Sequence, residues 1–166
     1  MPNVDEIVIN TGPIIALVAA LGDLRILQSL YNRVLVPLEV CQEVLENGPD
    51  RFAVAQFENA SWLQKWPELL DIPLFLSNCL DIGEASVIHL ALSEKIQTVC
   101  IDEAVGRRVA RLNGLILTGS VGILLRAKQE GHLLSIRDAV QRMRDHGIWL
   151  SERVITFTLN QAGEKD

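Results

Sequence analysis

The stretch Gln97–Arg111, QTVCIDEAVGRRVAR, decides how this chain is read. Thr98 to Ile101 are β-branched or apolar, Asp102 closes the run with a carboxylate, and a helical pattern starts directly afterwards. A run that is apolar on both faces belongs inside a parallel sheet covered on each side by helices. Asp102 then stands at the strand's carboxyl end, the edge where open α/β sheets keep their ligands. A lone aspartate there has a plain structural use, capping the helix from Glu103. Chemical weight comes only from other oxygens reaching the same edge.

The flanking segments repeat the pattern. Ile7 to Ile9 form a short apolar run ending in Asn10, and Thr11-Gly12-Pro13 leads into a helix over Ile14 to Ala20. Asn10 thus matches Asp102 in kind, a polar residue where a strand ends. Gly22 and Asp23 stop that helix and cap the next, Leu24 to Leu30. Val34 to Val36 make a second strand, and Pro37 opens a helix over Leu38 to Glu46. On it Val40, Cys41 and Val44 face inward while Glu39 and Glu43 lie one turn apart on a common side. Asn47-Gly48-Pro49 is a stop signal, and Arg51 to Asn59 reads as a short helix.

Trp62 to Pro73 suggests a brief strand and a loop, with its tryptophans buried rather than offered for base stacking. Asp81 and Glu84 have capping-box spacing at the head of a helix running to Lys95, with Val87, Ile88, Ala91 and Leu92 inward. Leu115 to Leu117 form another strand closing at Thr118-Gly119-Ser120, before a helix over Val121 to Glu130 that Gly131 ends. Ser135 to His146 and Ser151 to Ala162 read as two final helices. No repeat or low-complexity segment interrupts this order.

With 166 residues, 49% of them hydrophobic, the chain suits a single domain over 1–166, its last part, 135–166, forming C-terminal helices. A net charge of −6 argues against a broad electropositive surface for duplex DNA and leaves room for a local basic stripe. Cys41, Cys79 and Cys100 lack CxxC spacing and read as reduced core residues of a cytoplasmic protein. His89, His132 and His146 have no zinc-ligand spacing. The start of the chain is acidic where a signal peptide is basic, and the longest apolar run, Pro13 to Leu21, is too short to span a bilayer.

Alternating strands and helices joined by short connections imply a three-layer α/β/α fold around a mostly parallel sheet. Its carboxyl edge gathers Asn10, Asp102 and Thr118, and the helix starting there adds Glu84. Glu43 joins only if its helix crosses that edge, which spacing leaves open. Clustered carboxylates repel one another until their pKa values rise or a cation neutralises them. Oxygen donors without histidine or thiolate suit Mg²⁺ or Mn²⁺, which activate water and clamp phosphodiester oxygens. Arg107, Arg108 and Arg111 share one helix; a solvated face explains them, and contact with substrate phosphates is the functional alternative.

Five segments together resemble the PIN-domain family, and within it the VapC-like proteins: VINTGPIIAL, VPLEVCQEV, LDIGEASVIHLAL, TVCIDEAVGRRVA and LTGSVGILLRAKQEG. Each is weak alone; their order and distances are specific. The resemblance implies a Mg²⁺- or Mn²⁺-dependent ribonuclease, often dimeric and often paired with an inhibitory antitoxin. Carried onto this chain, the family's acidic positions fall at Asn10, Glu43, Glu84 and Asp102. Thr11, Thr118 and Ser120 match small hydroxyl positions, Asp81 and Glu103 are supporting acids, and Arg107 and Arg108 are phosphate contacts. Asn10 departs from the pattern, since many members have Asp there; its carbonyl oxygen can ligate but brings no charge.

The expectation is therefore a metal-dependent endoribonuclease acting on single-stranded or loop RNA, possible as the toxin of a toxin–antitoxin pair. The alternative is a catalytically weakened PIN fold that binds RNA or protein, which Asn10 favours. A nucleotide-binding domain, suggested by Gly119 and Gly122 at a helix mouth, lacks GxGxxG or GxxxxGK[ST]. Ile155, Leu159 and Ala162, with Val154 and Phe157 nearby, form an apolar stripe that suits a homodimer or simple packing onto the sheet.

Overall fold

Five short strands, β1 (Glu6–Ile9), β2 (Arg33–Val36), β3 (Gln64–Lys65), β4 (Thr98–Cys100) and β5 (Ile116–Thr118), pair in the order β3-β2-β1-β4-β5. All four pairings are parallel. A computed structural model of the chain describes residues 5–46 and 51–164. The Asn47-Gly48-Pro49 stop lies outside them. Ile7, Val8 and Ile9 in the middle strand are fully buried, as are Val99 and Cys100 beside it, because helices cover both faces. The result is the three-layer α/β/α arrangement that the sequence implies.

The helices follow the same logic of burial. α1 (Thr11–Leu21) is apolar nearly all round and ends at Gly22, whose φ of 85° needs glycine. α2 (Arg25–Leu30) leads to β2, and α3 (Leu38–Leu45) buries Val40, Cys41 and Val44. α4 (Val54–Asn59) and the single-turn α5 (Leu74–Ser77) lie along the path to α6 (Ile82–Ser93), which packs on β1, β4, α3, α5 and α7 (Ala104–Leu112). α8 (Ser120–Gln129), α9 (Ile136–Asp145) and α10 (Glu152–Gln161) pack on one another, and α1 rests on α8 and α9.

Several expectations are corrected. The helix expected from Arg51 begins at Val54, because Arg51 and Ala53 take positive φ of 49° and 73°. The strand within Trp62 to Pro73 is two exposed residues, and α5 follows it without a sequence signal. On α6 it is Leu90, not Leu92, that turns inward, since almost every side of this helix is covered and periodicity loses its meaning. Cys79 is exposed; Cys41 and Cys100 are in the core, and all three are free thiols. The strand from Thr98 stops at Cys100, two residues before Asp102. No helix among the described residues is long and apolar enough to cross a membrane.

Candidate functional site

Register brings three chain segments side by side at the carboxyl edge of the sheet. Ile9 pairs with Cys100, and Cys100 with Thr118. Beyond the strands the pairing continues: the Asn10 N–H donates to the Cys100 carbonyl at 3.1 Å, and the Ile101 N–H to that of Thr118 at 3.1 Å. Asn10, Asp102 and Thr118 therefore end on one edge, as strand ends should. Asp102 does not cap the helix after it. Its Oδ1 accepts the Ser120 N–H at 2.8 Å, tying the end of β4 to the head of α8. Arg107 braces the same joint, its Nη1 donating to the carbonyls of Ile101 at 2.8 Å and Thr118 at 3.2 Å.

α6 supplies Glu84. The Asp81 carboxylate accepts the Glu84 N–H at 2.8 Å, which fixes the first turn as the capping spacing predicts and leaves the Glu84 side chain to point inward, 6% exposed. α3 packs against α6 and α1 and so carries Glu43 to the same place. There Glu43 Oε1 and Asn10 Oδ1 lie together over Gly83, the residue before Glu84. Glu39, one turn earlier on α3, is used differently: it accepts the Leu70 N–H at 2.8 Å and holds the loop after β3.

Burial sets the electrostatics of this corner. Loss of solvent raises the Glu43 carboxyl above its ordinary range; nearby Asp81 adds to the rise, and the Thr11 hydroxyl opposes it. Burial, then Asp81 and Glu103, push Glu84 up to about 7. Glu43 Oε1, Glu84 Oε2 and the Thr11 hydroxyl are buried and make no hydrogen bond of full geometry, although Thr11 lies near Glu43 and Asp81 near Glu84. Buried polar oxygens without a well-formed hydrogen bond cost free energy, so three of them in one corner need a physical account.

Asp102 stands apart from that corner in character. It is exposed and, with Glu103, Arg107 and residues 118–120, lines one end of a groove of about 890 Å³. The groove runs on between Ile15, Val121 and Leu125 toward Trp149, 82% exposed, and Phe157, 61% exposed. Among the described residues, no group of three His, Cys, Asp or Glu side chains is arranged to enclose an ion as it stands. The donors themselves fit a hard divalent cation: they are oxygens only, and two carboxylate oxygens are buried without a well-formed hydrogen bond. Arg108 is exposed on α7, Ser120 is buried, and Thr118 is half-buried at the joint.

What the geometry defines is a parallel α/β protein with an acidic, oxygen-only cleft at the carboxyl edge of its sheet. A family model described as PIN domain matches residues 6–164. The chain belongs to the PIN-domain family, whose fold is of nuclease type. No curated protein and no solved structure matches it.

Sequence patterning passes over Trp149, Gly83 and Gly106, and it reads Phe157 only beside a terminal apolar stripe and Gly119 and Gly122 only as a helix mouth. Trp149 and Phe157 flank the groove, and a tryptophan in the short link between two polar-faced helices is the signal that marks it. Gly83, Gly106, Gly119 and Gly122 all lie against polar groups of this edge. Their signal is glycine at helix-forming positions where no turn requires it.

Proposed function

We propose that this PIN-family chain is a metal-dependent endoribonuclease acting on single-stranded or loop RNA. The observation that carries the proposal is the pair of buried carboxylate oxygens without a well-formed hydrogen bond at the carboxyl edge of the sheet, Glu43 Oε1 beside Asn10 and Glu84 Oε2 against Gly106. Glu43, Glu84 and Asp102 would hold Mg²⁺ or Mn²⁺, with the Asn10 carbonyl oxygen as a neutral fourth donor. When bound, such an ion neutralises the cleft and activates water for in-line attack on phosphorus.

The chain's own groups do the rest. The Ser120 N–H fixes Asp102 through Oδ1. Thr11, Thr118 and the Ser120 hydroxyl offer neutral donors around the reacting phosphate, while Asp81 and Glu103 deepen the negative potential that draws in a cation. Exposed Arg108 contacts substrate phosphate, and Arg107, with Nη1 committed to two carbonyls, offers its remaining nitrogens to the groove. The strand lies along that groove, where the lining holds one arginine against two acids, so stacking on Trp149 and Phe157 contributes more than charge to its hold.

Cleavage of a mixed RNA pool with and without Mn²⁺ tests this. Wild type should cut only with the ion, Asp102→Asn should lose activity, and Asn10→Asp should gain it. Metal-independent cutting, or an Asp102→Asn variant as active as wild type, contradicts the proposal.

A second function is favoured by Asn10 and by the aliphatic floor of the groove, Ile15, Leu117, Val121 and Leu125. A PIN fold with weakened catalysis would use that floor to bind an apolar segment of a partner protein, and an inhibitory antitoxin lying there would cover Asp102. No cleavage with any divalent ion, together with stable capture of one protein partner, selects this alternative. A homodimer in the cytoplasm completes the proposal.

A further inference from the structure

The ten described glycines fall into two sets. At Gly12, Gly22, Gly114, Gly131, Gly147 and Gly163 an added Cβ would meet nothing within 4 Å. Five of these have positive φ, so the backbone itself calls for glycine there. At Gly83, Gly106, Gly119 and Gly122 φ is not in the left-handed region, and any residue could adopt the conformation. What these four share is a neighbour.

At each of them a Cβ would come under 3.0 Å from a polar atom of the cleft, closer than real Cβ atoms come. The atoms are Glu43 Oε1 at Gly83, Glu84 Oε2 at Gly106, Asp102 Oδ1 at Gly119 and Thr118 Oγ1 at Gly122. A glycine chosen merely to let helices approach would meet backbone or apolar carbon. Only at Gly106 does such a carbon, Ile101 Cγ2 at 2.9 Å, also crowd the site. Three of the four lie inside α6, α7 and α8, where glycine weakens a helix relative to alanine. The fourth precedes α8 without a side-chain cap, a place where Ser, Asp or Asn would stabilise the helix. Two of the seated oxygens, those of Glu43 and Glu84, are also the buried carboxylate oxygens of the cleft that lack a well-formed hydrogen bond.

We propose that Gly83, Gly106, Gly119 and Gly122 are positioning residues, each yielding the volume of a side chain to one oxygen of the cleft. The seats pass around the edge in turn. α3 rests its acid on α6, α6 on α7, the end of β4 on the entry to α8, and β5 on α8 itself. Each acid is thus aimed by the segment that supplies, or adjoins, the next. The seating is a property of the metal-free fold; its benefit for a bound cation rests on the function proposed above.

Gly83→Ala gives the cleanest test, because the atom displaced is the far end of a flexible glutamate and the fold can accommodate the methyl. Thermal unfolding in EDTA is measured for wild type, Gly83→Ala, Glu43→Ala and the double variant, with Gly12→Ala in place of Gly83→Ala as the control. Gly83→Ala should raise the melting temperature more when Glu43 is already removed, whereas Gly12→Ala should be additive. Additivity at Gly83 overturns the proposal. In a second arm, Mn²⁺ affinity should fall about ten- to a hundredfold in Gly83→Ala, as for other groups that orient ligands. Equal Mn²⁺ affinity in wild type and Gly83→Ala also overturns it. A wild type that binds no Mn²⁺ defeats the metal site instead, and the EDTA cycle alone then decides whether the glycine seats Glu43.

Discussion

Glu84 carries the clearest pH signature. Its carboxyl stands at about 7, against an ordinary value of 4.5, because burial and neighbouring Asp81 and Glu103 disfavour its charge. Between those values the folded state keeps a proton that the unfolded chain has released, so stability falls as pH rises through this window and levels off above it. Allowing for solvent screening of this group, the span is worth on the order of 1–2 kcal/mol. Glu84→Gln should therefore stabilise the metal-free protein at about pH 8, change it little at about pH 4, and flatten the profile between, as read by urea unfolding. An unchanged slope would contradict the burial account. Asn10 predicts the opposite sign. It is 7% exposed next to Glu43, so Asn10→Asp adds a charge beside an already strained carboxylate. The metal-free melting temperature should fall by several degrees, and Mn²⁺ should restore more than wild type gains.

At the scale of elements, the head of α9 is held from the far end of the chain. The Ile136 and Arg137 N–H groups donate to the Glu164 carboxylate at 2.7 and 3.1 Å, the Ser135 hydroxyl at 3.3 Å, and Lys128 pairs with it. Burial would raise this carboxyl, but these partners outweigh it and hold it at about 2. A lowered carboxyl adds stability above about pH 4.5 and loses it as pH falls through about 2. Glu164→Gln should cost about 2 kcal/mol at neutral pH, and the difference from wild type should shrink in acid. Ser135 and Ser151 announce α9 and α10 in the sequence because caps are local: each side chain accepts an N–H three residues on. Glu164 could not be assigned this way, since its partners lie 27 to 36 residues earlier. α5 was equally illegible, being fixed by packing rather than by periodicity, whereas the brief strand expected within Trp62–Pro73 is present as the two-residue β3.

Across the whole molecule, the stripe expected on the last helix divides. Ile155 and Leu159, 9% and 8% exposed, pack inward, while Val154 and Phe157 stay outward along the groove, beside Trp149 of the preceding link. Without RNA, self-association is expected to depend on this outward face with Trp149, the same rings that take the RNA strand, so dimer and RNA compete for it. Sedimentation at micromolar concentration should give a dimer for wild type and a monomer for Trp149→Ser, whereas a dimer that survives Trp149→Ser places the interface elsewhere. The same division separates what the sequence could tell of the site. Asn10, Asp102 and Thr118 were legible because strand ends of a parallel sheet share an edge, and Glu84 because a capping box starts its helix there. Glu43 entered only through family resemblance, for its place depends on α3 crossing α6, a tertiary fact without local pattern. The glycine seats depend on the same crossings. The central claim, that Glu43, Glu84 and Asp102 bind one hard cation, is tested most directly by melting the protein across a Mn²⁺ titration. Wild type should gain stability saturably, about 3 kcal/mol at a hundredfold excess over Kd, and Glu43→Gln, Glu84→Gln and Asp102→Asn should each lose most of that gain. A melting temperature indifferent to Mn²⁺, or variants that gain as much as wild type, would contradict it.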